Sequence, residues 1–591
     1  TQAKVLLTSV FGPYAVDDEF GSRKINPMEL YQNQVTREQG PFSLRMFHRS
    51  WGLMLIQKNI DAFCTMLDFP KLDRFITQIK ENHYDIIGIS SIMPNLGKVK
   101  HMCDLIRQFQ PHATIVVGGH IANLPGLDQI IDADHIVRGD GVRWFREFLG
   151  QPADAPIRHP HIRSGIGART MGMRLKEKPG EVAATLIPSV GCPMGCNFCA
   201  TSAMFGGKGK HINFYETGDE LFETMCELER ELKVKSFFVM DENFMLHRKR
   251  ALRLLELMQA HDKSWALYVF SSATVLRSYK IEQLVALGIS WVWMGLEGNH
   301  SQYTKLHGTD TFKLIRTLQD HGVRVLGSSI IGMEEHCPEN MDAVIDYAVR
   351  HNTEFHQFML YTPIPGTPLW KEHHEKGYLL DPGHENIADS HGQYKFNFKH
   401  EHIRDGQETE FLRKAFARDL EVNGPSVLRV LRTTLKGWLK YRQHADLRIR
   451  RRFEYEARHL AVHGAAALWA ARKWYAGSSN IRESLDETLQ LIYKNFGWKS
   501  RCFAPLLGRY VLRQLRKEEK RRENGWEYEP PTFCEHHKKQ SDTEQAQSHS
   551  CRRATLGPPV DRALTKTRPI LHGQAALENG AQEESIQAQV A

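Results

Sequence analysis

Three cysteines lie close together in Gly191-Cys192-Pro193-Met194-Gly195-Cys196-Asn197-Phe198-Cys199, with the spacing Cys-x3-Cys-x2-Cys. Thiolates this near one another can reach a single metal centre, and soft sulfur selects iron–sulfur or zinc. Structural zinc takes a fourth ligand, usually from a second Cys/His pair with its own spacing. No such pair lies nearby: the next cysteine, Cys226, falls inside a run with helical periodicity. Three cysteines on a [4Fe-4S] cluster leave one iron open to a chelating ligand. The loop follows an apolar strand-like run at 182–190 and precedes a helix-like run from about 216 to 232.

The elements around it must hold the loop at the end of a strand. Residues 182–370 repeat strand then helix six times, with strands expected at 182–190, 236–240, 265–271, 291–296, 323–331 and 355–363. The helices between them carry apolar residues at 3–4 spacing, as in Leu252, Leu255 and Met258. Sites on barrels of βα units lie at the carboxyl ends of the strands. Asp241-Glu242-Asn243, Ser271-Ser272, Glu297, Ser328-x-Ile330-x-Gly332-x-x-Glu335 and the loop Tyr361 to Pro368 fall there. An acidic residue at such a place can equally be a helix N-cap or a first-turn charge.

Residues 1–150 also alternate strand and helix, with strands expected at 4–10, 61–67, 85–91, 114–119 and 135–138. Apolar runs such as Ile86-Ile87-Gly88-Ile89 suit a parallel sheet covered on both faces, and this doubly wound α/β pattern binds ligands at strand carboxyl ends. Ser90-Ser91, Gly118-Gly119-His120 and Arg138-Gly139-Asp140-Gly141 sit at three such ends, where glycine lets backbone approach a large ligand.

The cysteine loop, with the aromatic Phe198 before its third cysteine, resembles the signature of the radical SAM superfamily. The strand-end segments ahead of it resemble the cobalamin-binding domain of the B12-dependent radical SAM family. The resemblance spans roughly residues 1–370. It implies an α/β chain: a doubly wound cobalamin-binding domain (1–150), a linker (151–181) and a partial (β/α)6 TIM-like radical SAM barrel (182–370). It implies three cofactors. A [4Fe-4S] cluster would sit on Cys192, Cys196 and Cys199. S-adenosylmethionine would meet Phe198, Asp241, Glu242, Asn243, Ser271, Glu297, Ile330, Gly332 and Glu335. Cobalamin would lie against Ser90, Ser91, Gly118, Gly119, His120, Gly139, Asp140 and Gly141. Asp241–Asn243 stand where the family holds the SAM amino group, and the segment from Ser328 where it packs the adenine, with Ser in place of the usual Gly. The Asp-x-His-x-x-Gly signature of other B12 proteins is absent from 1–150, so the corrinoid would bind base-off with no histidine below cobalt.

Composition narrows the remainder. Ten cysteines, three of them grouped, argue for a reducing compartment and a metal role over a disulfide framework. A net charge of +8 is modest for 591 residues and does not call for nucleic acid. No apolar run is long enough to span a bilayer, and the first residues, from Thr1 to Leu7, read as a short strand and not a signal peptide. Between Phe11 and Trp51 is a long polar insertion, expected to cover the corrin face, line a substrate channel or run over the surface. Residues 371–530 read as a helical, basic region. In it, 426–442 places Val427, Leu428, Leu431, Leu435, Trp438 and Leu439 on one face and Arg429, Arg432, Lys436 and Lys440 opposite. Such a helix can lie on an anionic membrane surface or cap the barrel with its cations in solvent. Residues 531–591, rich in Gln, Glu, Ser and Ala, are expected to be a disordered tail.

In the family's chemistry, reductive cleavage of SAM gives a 5′-deoxyadenosyl radical that takes hydrogen from an unactivated carbon, methylcobalamin donates its methyl group, and a second SAM restores it. The resemblance thus implies a radical SAM methyltransferase acting on a biosynthetic intermediate, small or lipid-like, in the cytoplasm or at a membrane periphery. It also implies an external electron donor of flavodoxin or ferredoxin type. A cyclase or oxidative rearrangement enzyme of the same family is the alternative. A tRNA methylthiotransferase would need a second cysteine triad, and only Cys64 and Cys103 precede the barrel. A corrinoid sensor would not need the cysteine loop.

Overall fold

The computed structural model describes residues 3–12, 19–20, 29–297, 310–380, 387–526 and 528–537. Its N-terminal sheet is parallel through Phe63–Asp68, Lys4–Ser9, Ile86–Ser90, Thr114–Gly118 and His135–Ile136, in that spatial order. Numbered along the chain this is 2-1-3-4-5, a doubly wound order whose switch point falls between Lys4–Ser9 and Ile86–Ser90. The register aligns Ser9 with Ser90 and Ser90 with Gly118, so three strand ends meet at one level. Both faces are apolar: Leu6, Ile87, Ile89, Ile115 and Val117 point to one core, Val5, Leu7, Ile86 and Val116 to the other.

The second sheet runs Phe355–Leu360, Arg324–Ile331, Ile289–Glu297, Ala266–Phe270, Ser236–Val239 and Ala184–Leu186, all parallel. This is the expected six-stranded partial barrel, open between its first and last strands. The first strand is shorter than expected. Pro188 has no N–H to give a ladder, and its carbonyl instead accepts from Phe214 N and Tyr215 N, so Ser189–Val190 turns away to pair antiparallel with Ile212–Asn213.

The open seam is filled from the N-terminal insertion. Of that insertion, 13–18 and 21–28 lie outside the described residues; the rest packs into the barrel. Tyr31 meets Phe355 edge-on at 6.1 Å, His48 stacks on Phe238 at 5.6 Å, and Gln357 Nε2 donates to Gln34 Oε1 at 3.0 Å.

Two sequence expectations fail here. Residues 151–181 are not a bare linker: Ile166–Thr170 and Met173–Arg174 join Arg45–Phe47 in an antiparallel sheet of three strands. The tail is not unstructured from its start, because Phe533–His537 adds an antiparallel edge strand to Phe63–Asp68. Arg49 pins that strand, donating to Asp68 Oδ2 at 2.8 Å and Glu535 Oε1 at 3.0 Å. The remainder of the expected tail, 538–591, lies outside the described residues.

The C-terminal region is helical as expected, and Ser426–Tyr441 caps the barrel. Leu428 and Leu435 are buried with Leu468, Leu485 and Leu489. Gly437 lets the helix touch the turn before the fifth barrel strand, since a Cβ there would lie 2.7 Å from Gly322 Cα. The cationic face is not all in solvent. Arg429 is fully buried, donating to Thr353 O at 2.7 Å and to both oxygens of Asp419 at 3.0 and 2.8 Å. Removing one partner of such a pair strands the other charge. Arg429→Met should therefore destabilise the helical layer by about 3–5 kcal/mol, read as a lower denaturation midpoint and faster amide exchange over residues 407–441.

Candidate functional site

The cysteine loop is shaped by backbone that needs glycine. Gly191 and Gly195 have φ of 85° and 68°, and a Cβ at either would strike Phe205 or Lys208 at 2.7 and 2.5 Å. Cys199 starts the short helix Ala200–Met204, its sulfur accepting from Ser202 N at 3.5 Å, while Ser202 Oγ donates back to Cys192 O at 2.7 Å. Leu369 N donates to Asn197 O at 3.0 Å, fastening the loop to the segment after the sixth strand. None of the three thiols is in a disulfide. Burial pushes Cys192 up to about 11; the Met194 N–H opposes this, and the charges of Cys199, Cys196 and Glu242 add to it. The three thiols and Glu242 thus share one electrostatic neighbourhood. Among the described residues no three His, Cys, Asp or Glu side chains close to bonding distance round an ion. The donor set and the shared field nonetheless fit a soft-metal cluster on three thiolates.

Asp241, Glu242 and Asn243 separate in role. Asp241 is an internal counter-ion: its carboxylate accepts from Arg250 Nη2 at 2.5 Å and from Asn243 N at 3.1 Å, and the side chains of Asp241 and Arg250 are each 2% exposed. Glu242 differs. Burial pushes its carboxyl up to about 8, with the Asp241 charge adding and nearby backbone N–H groups opposing, and its Oε2 is buried with no hydrogen-bond partner among the described residues. An orphaned carboxylate oxygen beside the cysteine loop is what a ligand ammonium would satisfy. Asn243 Oδ1 accepts from Ser271 Oγ at 3.1 Å and Ser272 N at 3.3 Å, joining the second and third strand ends.

Phe198 packs against the apolar cluster that also contains Ile330, Ile331 and Phe358. Glu297 ends the fourth strand, 5% exposed, with φ of 51°, beside a register shift at Gly295. Gly332 is required by contact: φ is 76°, and a Cβ would lie 2.3 Å from Phe396 Cζ. Glu335 is misplaced by the sequence reading, because its side chain is exposed. His336 turns inward instead, its Nδ1 accepting from Gly332 N at 3.0 Å and Met333 N at 3.1 Å.

At the N-terminal sheet, a cavity of about 160 Å³ opens on the strand ends, lined by Ser90, Gly118, Gly119, Gly139, Asp140 and Gly141. Gly119 is fixed by a close approach, a Cβ there falling 2.5 Å from Ser91 O. Asp140 lines the cavity, but its Oδ1 caps the helix Gly141–Phe148 by accepting from Val142 N and Arg143 N, both at 3.0 Å. Ser91 and His120 are not on the wall. Ser91 is buried, its N–H donating to Gly118 O at 3.1 Å, and His120 is half-buried in the following turn. A cradle of small residues at the switch-point sheet fits the tail of a large nucleotide-bearing cofactor.

Two contributions were not legible beforehand. Met204 and Phe205, just after the cysteine loop, complete the cavity wall, and Gly139 comes into ordinary contact with Met204 O. His48 enters the barrel with both ring nitrogens buried and without a hydrogen-bond partner among the described residues; burial pulls it down to about 4, so the imidazole is neutral. The Met-Phe pair followed the cysteine motif at short range and could have been noticed; nothing marked His48.

Comparison with known proteins agrees with this geometry. Residues 54–149 match the B12 binding domain, and residues 186–348 match the Radical SAM superfamily. The chain is 24% identical over 354 residues to an uncharacterized methyltransferase of Pyrococcus horikoshii, covering 53% of this chain and 74% of that one. It is 23% identical to the bacteriochlorophyllide d C-8(2)-methyltransferase of Chlorobaculum tepidum over 51% of this chain and 70% of the relative. It is 21% identical to the anaerobic magnesium-protoporphyrin IX monomethyl ester cyclase of Rubrivivax gelatinosus, over 54% and 64% respectively. The chain thus carries a B12 binding domain ahead of a Radical SAM domain, the arrangement of the B12-dependent radical SAM enzymes it resembles.

Proposed function

We propose that the enzyme methylates an unactivated carbon of a biosynthetic intermediate. The observation that carries this reading is the shared wall: Met204 and Phe205, continuous with the cysteine loop, line the cavity at the N-terminal strand ends. A substrate held at that junction faces both cofactors. Together the cluster, SAM and cobalamin supply a carbon radical and a transferable methyl group; the chain's part is placement. Cys192, Cys196 and Cys199 hold the cluster. Glu242 accepts from the SAM ammonium, with Asn243 and Ser271 ordering the neighbouring strand ends and Phe198 and Ile330 giving the adenine an apolar bed. Gly118 and Gly139 keep space for the cobalamin tail. Because a carbon radical left unplaced would be lost to side reactions, near-attack placement is where the protein gains most.

Relatives named as methyltransferases of bacteriochlorophyllide and of hopanoid act on large, mostly apolar molecules, which supports a substrate of that kind. An external one-electron donor and a cytoplasmic setting complete the reading. No helix among the described residues is long and apolar enough to cross a membrane. The named cyclase among the relatives favours a second reading, ring formation without methyl transfer.

Three measurements test these assignments. Glu242→Gln should weaken SAM binding about tenfold or more, the worth of a charge-assisted hydrogen bond, with iron content unchanged; equal affinity would remove Glu242 from the SAM site. Gly118→Leu is tolerated by the backbone, since a Cβ there meets only Val137 O at 3.7 Å. It should cut cobalamin content several-fold while the cluster still forms. With its substrate and SAM labelled in the methyl group, the enzyme should give labelled product and release both 5′-deoxyadenosine and S-adenosylhomocysteine. Unlabelled product formed with 5′-deoxyadenosine alone would make it a cyclase-type member.

A further inference from the structure

The barrel has a second cavity, at the end away from the cofactors. Its volume is about 440 Å³. It lies among the amino ends of the strands, where Ser236, Ala266 and Ser290 are too small to fill the lumen, and it is closed below by the small antiparallel sheet and by the helix Leu447–Ala457. Barrel interiors are ordinarily packed solid with branched side chains. Here the wall is aromatic: Tyr31, Phe238, Tyr268, Trp291 and Phe355 all face it.

The rings are ordered as a surface. Trp291 lies parallel to Phe355, centroids 5.2 Å apart at 14°, and at 5.7 Å from Tyr268; Phe238 meets Tyr268 edge-on at 4.8 Å. One polar group stands out at the inner end. The Tyr268 hydroxyl is buried beside the Tyr31 phenol and, among the described residues, has no hydrogen bond of normal geometry. Of the ionic groups at the wall, Arg324 pairs with Glu456, Arg458 with Glu181 and Glu177 with Arg174, and Lys176 lines it as well. The aromatic stretch of the wall, Tyr31, Phe238, Tyr268, Trp291 and Phe355, carries no charge, so an ionic group laid against it would lose its hydration with no counter-charge to meet it.

We propose that this cavity is a second small-molecule site, for an uncharged, planar polycyclic molecule of three or four fused rings bearing a carbonyl or ether oxygen that accepts from Tyr268. The size follows from scale: a cavity of ~150 Å³ holds one benzene. The site is independent of the methyl-transfer reading, because none of its lining residues is among those assigned to the cluster, SAM or cobalamin.

Benzanthrone, an uncharged four-ring ketone, is a suitable probe. In equilibrium dialysis, the full chain loaded with cluster and cobalamin should bind one benzanthrone saturably, with affinity unchanged by SAM. Tyr268→Phe should weaken binding about fivefold, the worth of one neutral hydrogen bond. Ala168→Phe, which projects a ring into the cavity from the small sheet, should abolish it while iron and cobalamin contents stay at wild-type levels. Absence of saturable binding, displacement of the probe by SAM, or full binding to the Ala168→Phe protein would each overturn the assignment.

Discussion

Two parallel sheets in one chain present their carboxyl ends to a common space, and the rest of the structure depends on how closely they can do so. The closest approach runs through backbone. Gly139 at the end of one sheet faces the carbonyl of Met204, which ends the short helix begun by Cys199. On the other side, Gly366 comes up to Asn123, where a Cβ would sit 2.9 Å from the asparagine Cβ. A side chain at Gly366 would wedge the sheets apart, whereas Gly139 meets Met204 at ordinary contact distance. Much of the remaining chain, including the insertion along the barrel seam and the helical cap below, holds this juxtaposition in place.

Much of this was legible in the sequence where chemistry and spacing coincide. The cysteine loop needed no tertiary knowledge, because its ligands are local. The strand-end glycines were readable for a similar reason, since apolar runs ending in Gly-Gly or Gly-Asp-Gly mark both a strand and its terminus. What failed depended on partners far away in sequence. Asp241 looked like its neighbour Glu242, and only the fold pairs it with Arg250. Arg429 looked like a solvent cation until Asp419, on the preceding helix, was seen to neutralise it. Glu335 was chosen by counting from Gly332, but the turn there brings His336 inward to cap two backbone N–H groups. The strand Ile166–Thr170 could not be foreseen, because it pairs with Arg45–Phe47 more than a hundred positions earlier, while Met173–Arg174 folds back on it locally.

The barrel's open seam explains much of the chain's length. Six strands cannot close a lumen that eight would, so the gap between Ala184–Leu186 and Phe355–Leu360 admits side chains from elsewhere. The insertion supplies Tyr31, Gln34 and His48, and Gln34 extends a hydrogen-bonded row through Gln357 and Ser328 to Trp293. A seam closed by a polar row and stacked rings, and not by a ladder of backbone bonds, keeps an aromatic interior while leaving its composition free to vary.

The edge strand Phe533–His537 ties the end of the chain to its beginning, and so bears on the order of assembly. The N-terminal sheet leaves the ribosome before the barrel, yet its outer edge at Phe63–Asp68 has no neighbour until more than four hundred further residues have been made. An unpaired edge is a template for wrong pairing, and contacts so distant in sequence form late. Until then Arg49 has only Asp68 of its two carboxylate partners. The N-terminal sheet is therefore completed only after the barrel and the helical region have been made, and the exposure of its edge during synthesis is set by the length of everything that separates the two strands.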